Sequence, residues 1–117
     1  MSALDQAVAE LEAKRNKDDA ERKGRQAAAG AFLKAFYEAD IAPSRRLKDS
    51  GVQAALDGSR LVLRKPEEGV YAEGMMIVVG EQGEIDVNGR SLGPVGKADA
   101  DAKKNELIAE IISHFSL

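Results

Sequence analysis

Few residues in this chain have the type and spacing to do chemistry. His114 is the single histidine of the 117 residues and cysteine is absent, so any nucleophile activated by an imidazole would have to use that one ring. It stands next to Phe115 near the C-terminus, and no strand-turn-helix motif places a serine to face it, so it reads as a helix-end or surface residue. Glu84 and Asp86 are two apart in an expected strand and share a side, as two glycosidase carboxylates would. A solvated strand face explains them with fewer assumptions. Asp99 and Asp101 lie in ADADAKKNE, which lacks the further oxygen ligands and the glycine of a calcium loop, and they fit helix capping instead. The glycines from Gly69 to Gly96 lack GxGxxG or GxxxxGK[ST] spacing and fall at expected strand ends. No catalytic residue, metal ligand or cofactor site is therefore assigned, and the chain is expected not to be an enzyme.

Charge is the next candidate for function. The net charge of -3 is mild, but it is unevenly spread. Residues 14 to 25 hold Lys14, Arg15, Lys17, Arg22, Lys23 and Arg25 against three acids. Together with Arg45, Arg46 and Lys48 these could neutralise phosphates along one side of a helix and its exit. Asp18, Asp19 and Glu21 interrupt the run, no aromatic residue interleaves with it, and no recognition motif for nucleic acid accompanies it, so a solvated helix face is the simpler reading. Residues 66 to 89 show the opposite bias, with Glu67, Glu68, Glu73, Glu81, Glu84 and Asp86 and no base. Such a surface could occupy a partner's basic groove, as an inhibitor or immunity-type protein would. Pairing of acidic with basic strands is the simpler account there too.

The elements that would position these groups follow from periodicity. Ser2 and Asp5 give a capping signal, and good helix formers run from Ala3 to Ala39 until Pro43 disfavours helix at Ala42. One long helix is the expected element, with a break near Gly24 as the alternative, since Gly24 and Gly30 each cost about 1 kcal/mol relative to alanine. Its middle, EAKRNKDDAERKGRQ, has only Ala13 and Ala20 as apolar residues and cannot face a core. Asp18 with Arg22, Asp19 with Lys23 and Glu21 with Arg25 are spaced to keep this rod helical in water. A continuous helix would be about 55 Å long, against about 35 Å for a compact body of this chain length, so part must overhang. Leu4, Val8 and Leu11 follow the spacing of a helix-helix seam, and the same frame reaches Ala29, Phe32 and Phe36 only after a polar stretch through Arg15, Asp18, Arg22 and Arg25. The expected interface is thus the Leu4 to Leu11 tip.

From Val52 onward, short apolar runs alternate with turn signals. Val52 to Leu56, Asp57-Gly58 and Arg60 to Lys65 read as a hairpin closed by Pro66 and Gly69. Val70 to Val79 is one strand or two broken at Gly74, Gly80 to Gly83 turns into Glu84 to Val87, and Asn88-Gly89 is a further turn signal. Met75 to Val79 is apolar throughout, so both faces of the sheet need cover there. If the helices share one face, the other is left for a partner; Met75, Ile77 and Val79 are the interface residues expected on this strand. The C-terminal segment carries an apolar stripe of Leu107, Ile108, Ile111, Ile112 and Phe115.

The resulting expectation is an α+β fold in one domain of residues 1–117: a long N-terminal helix or helical arm over 1–40, a four-stranded antiparallel β-meander over 44–95, and a C-terminal amphipathic helix over 97–117. No apolar run approaches the length needed to cross a bilayer and no secretory signal opens the chain, so it is expected to be soluble and cytoplasmic, with no membrane partner. The expected function is that of a small bacterial-type adaptor, chaperone or regulatory subunit that binds protein, as a homodimer. A nucleic-acid-binding regulator and an acidic inhibitor are the alternatives.

Overall fold

A computed structural model describes residues 2–66, 74–96 and 99–117. Helix α1 runs unbroken from Ala3 to Phe36. The Ser2 hydroxyl accepts from the Asp5 amide at 3.1 Å, and Asp5 adds negative charge to the first turn, where the helix dipole favours it. Gly24 does not break the helix; the space around it is empty, so the residue brings a propensity cost and no kink. At the next two positions, Arg25 donates through Nη2 to Gln82 Oε1 at 3.1 Å and through Nε to the Gln82 carbonyl at 3.3 Å, and Gln26 donates to the Glu81 carbonyl at 2.7 Å. These bonds fix α1 to the sheet where the low propensity would favour a break.

The helix continues past its expected end as a widened π turn, Tyr37–Ile41, in which the Ala42 amide donates to the Tyr37 carbonyl at 2.8 Å. Ala42 stays helical directly before Pro43, with φ -58 and ψ -42, against the usual bias of that position. The extra residue in the turn decides which side chains point inward. Phe36 and Ile41, five apart, are both buried, and Asp40 is left at the side, where it meets Lys104 at 3.0 Å. A short helix α2, Arg45–Asp49, capped by Ser44, follows and buries Leu47.

Strands β1 (Gln53–Asp57), β2 (Arg60–Arg64), β3 (Met75–Val79), β4 (Glu84–Val87) and β5 (Arg90–Pro94) form one antiparallel meander in that order. The sheet therefore has five strands rather than the expected four. Asn88 and Gly89 take φ 51 and 85, the paired positive dihedrals of a type I′ hairpin turn, so the chain reverses there and pairs Arg90 with Val87 instead of leaving the sheet. The first hairpin is displaced by one residue: Asp57 pairs with Arg60, and Gly58, with φ 60, opens the two-residue turn. The expected residues Val70 to Glu73 of the third strand and the closure at Gly69 lie outside the described residues.

Helix α3, Ala100–Phe115, packs on the same face of the sheet as α1. Leu61, Leu63, Met75, Ile77, Ile85 and Val87 point to that face and meet Ala29, Leu33 and Phe36 of α1 and Leu107 and Ile111 of α3. Polar contacts fasten α3 as well. Arg90 pairs with Glu110, and the buried Lys103 ammonium donates to the Leu92 carbonyl and lies 3.4 Å from Glu106. The opposite face, with Val62 of β2 and Met76 and Val78 of β3, carries no described helix, and Met76 is 42% exposed. Both faces of β3 are apolar, as its sequence says, but the helices cover only one.

Candidate protein-interaction site

The outline of the molecule is set by α1. The chain extends 68 × 32 × 19 Å with a radius of gyration of 18.8 Å, against about 13 Å for a compact chain of this length. Every residue from Ser2 to Glu21 is exposed, which makes an arm about 30 Å long at the α-helical rise. It leaves the body at the β3–β4 turn. There Gly83, at φ 78, lets the turn come so close that a Cβ would sit 2.7 Å from the Arg25 backbone; a residue with a side chain would push the helix off.

At the end of this arm Leu4, Val8 and Leu11 are 72%, 45% and 56% exposed. Their spacing puts them on one side of the helix, and the residues around them, Asp5, Glu10 and Glu12, are acidic. The described part of the molecule exposes only two other large apolar side chains, Met76 and Ile112. Ile112 belongs to a groove of about 400 Å³ at the other end of α1, lined by Ile41, Leu47, Ile108, Ile111 and Leu117 with Asp40, Ser44 and Arg46 at its polar edge. The groove exists because the α3 stripe is wider than one contact needs. Leu107 and Ile111 fill the core, while Ile108 and Ile112 spill onto a second side. That width was visible in the sequence; the π turn and α2 that form the facing wall were not.

The other expected interface residues lie elsewhere. Met75 and Ile77 are 1% and 0% exposed, and Val79 packs against the same core, so they meet the chain's own helices. The two-residue side-chain period of the strand puts Met76 and Val78 on the outer face instead. Of the basic residues, Lys14, Arg15, Lys17 and Lys23 project from the arm, but Arg22 pairs with Asp19 at 3.1 Å and Arg25 is engaged with Gln82. Arg45 and Arg46 stand on α2, beyond the far end of α1, with about 28 Å of helical rise between Lys17 and Phe36 alone. The bases do not converge on one surface. Among the acids, Glu81 is exposed, Glu84 accepts from the Gln82 amide at 2.9 Å, and Asp86 lies half-buried on the outer sheet face opposite Val78 and Ser91. Glu67, Glu68 and Glu73 lie outside the described residues. His114 stands edge-on to Phe115, ring centroids 4.7 Å apart.

Among the described residues no three or more histidine, cysteine or acidic side chains gather where they could hold a metal ion, and no helix is long and apolar enough to cross a membrane. No family model matches the chain, and neither does any curated protein or solved structure.

Proposed function

We propose that this chain is a non-enzymatic protein-binding adaptor, chaperone or regulatory subunit that works as a homodimer through its N-terminal arm. One observation carries the reading: three large apolar side chains are held on a helical arm, about 15 to 26 Å beyond the body, where nothing in the chain's own core covers them. Burying a leucine or valine side chain is worth about 1.5 to 3 kcal/mol, so a partner that covers all three gains several kcal/mol of association from the tip alone. The polar rod between tip and body supplies reach. Its exposed charges keep it from collapsing onto the sheet, and the Arg25 and Gln26 bonds fix its base.

The test is the mass of the particle in solution by light scattering on a sizing column. The unaltered chain is expected to run as a dimer, and replacing Leu4, Val8 and Leu11 with serine is expected to lower the mass to that of a monomer with the sheet intact by circular dichroism. An unchanged mass in the variant would remove the tip from the interface.

A further inference from the structure

The homodimer reading names the tip but not its receptor. We infer that the tip of one copy docks in the apolar groove between α2 and the second half of α3 of the other copy, and that the contact is made twice in a closed dimer. The inference rests on the tip reading above and adds the partner surface.

Three observations carry it. The first is shape. Leu4, Val8 and Leu11 present anchors at i, i+4 and i+7, the pattern of an amphipathic helix that lies in a hydrophobic groove, and the groove of about 400 Å³ offers Ile108, Ile111, Ile112 and Leu117 as its apolar wall. Joining the two would cover four of the five large apolar side chains exposed in the described part of the molecule. The second is charge. Residues 3 to 12 carry Asp5, Glu10 and Glu12 with no base, whereas α2 beside the groove carries Arg45, Arg46 and Lys48, all exposed, against Asp49. Asp40 also lines the groove, but Lys104 at 3.0 Å answers its charge. The third is distance. Tip and groove lie at opposite ends of an unbroken helix of 34 residues, about 50 Å long, so a chain cannot fill its own groove while a second copy can. Two copies side by side with their α1 helices antiparallel would put each tip at the other's groove. That two-fold arrangement closes the assembly and doubles a small contact toward the area a stable interface needs.

A mixing experiment tests this. Two full-length variants are made: the tip variant with serine at Leu4, Val8 and Leu11, and the groove variant Ile112→Asp, which alters a side chain 46% exposed. Each alone is expected to be monomeric by light scattering at concentrations where the unaltered chain is dimeric. In a one-to-one mixture the tip of the groove variant can still enter the groove of the tip variant, which restores one of the two contacts. Dimer mass is therefore expected to return at concentrations above those the unaltered chain needs and where each variant alone stays monomeric; recovery also shows that both are folded. Arg46→Glu is expected to weaken the dimer, since it reverses a charge at the groove edge. If Ile112→Asp and Arg46→Glu both leave the dimer as tight as the unaltered chain while the tip variant falls apart, the tip pairs elsewhere: this inference fails and the tip reading survives. If the mixture is no more dimeric than either variant alone at every concentration, the tip-in-groove contact is overturned. If the unaltered chain is monomeric at every concentration, both the docking and the homodimer are overturned together.

Discussion

The two halves of α1 are one helix in two environments. From Ala29 to Phe36 it behaves as an ordinary packed element: Ala29, Leu33 and Phe36 are 1%, 0% and 3% exposed, and the sheet holds them. From Ser2 to Glu21 every residue is exposed, yet the helix continues, and its end carries apolar residues at packing spacing. An isolated helix of this length is marginal in water. The packed half acts as its nucleus, since propagation from a formed helix needs no new first turn. What differs between the halves is therefore the cover over an apolar stripe that both possess. That difference is the reason to expect a partner for one and not for the other.

Substitutions that treat the halves separately can break or sharpen this contrast. The largest effect is expected in the packed half: Leu33→Ala removes a fully buried side chain and is expected to cost about 2 to 5 kcal/mol, measured as a fall in the urea midpoint at unchanged slope. Next comes the crossing point. Gly83→Ala would place a Cβ 2.7 Å from Arg25 at a residue with φ 78, and the combined strain and displacement should cost about 2 to 3 kcal/mol by the same denaturation curve. Gly24→Ala goes the other way. Its Cβ would meet nothing, so the chain is expected to gain about 0.5 to 1 kcal/mol, seen as increased helical ellipticity and a higher melting temperature. The smallest effect is expected at the tip. At concentrations low enough to keep the chain monomeric, Leu11→Ser should change stability by less than about 0.5 kcal/mol. A cost comparable to that of Leu33→Ala there would mean that the tip folds back onto its own body, and the contrast would collapse.

Much of this architecture was legible in the sequence because it depends on local patterns. The seam spacing marked the tip, helix-forming composition marked the rod, and alternation with turn glycines marked the meander. The expected pairs of Asp18 with Arg22, Asp19 with Lys23 and Glu21 with Arg25 did not form, since Arg22 pairs with Asp19 and Arg25 bonds Gln82. The fifth strand was missed although Asn88-Gly89 announced a turn, because Arg90 to Pro94 reads weakly as strand: it holds only Leu92 as a large apolar residue, with Gly93 and Pro94 beside it. The interface expectation for β3 named Met75, Ile77 and Val79 when the outward residues are Met76 and Val78. An unbroken apolar run fixes that both faces are apolar but leaves open which alternate set the helices will cover. The groove was least legible of all. Its far wall depends on a π turn that places Ile41 five residues after Phe36, a register set by packing against Leu47 and α3 that no local propensity encodes.

The most direct test of the central claim is amide hydrogen exchange along α1, compared between concentrated and dilute samples of the unaltered chain. The amides that follow Ala29 should be strongly protected in both, since opening them requires unfolding the core. Those from Val8 to Glu12, each bonded within the helix but exposed, should be protected in the concentrated sample and lose that protection on dilution as the partner leaves. Rapid exchange of the tip amides at every concentration would show that nothing covers the arm, and would contradict the account.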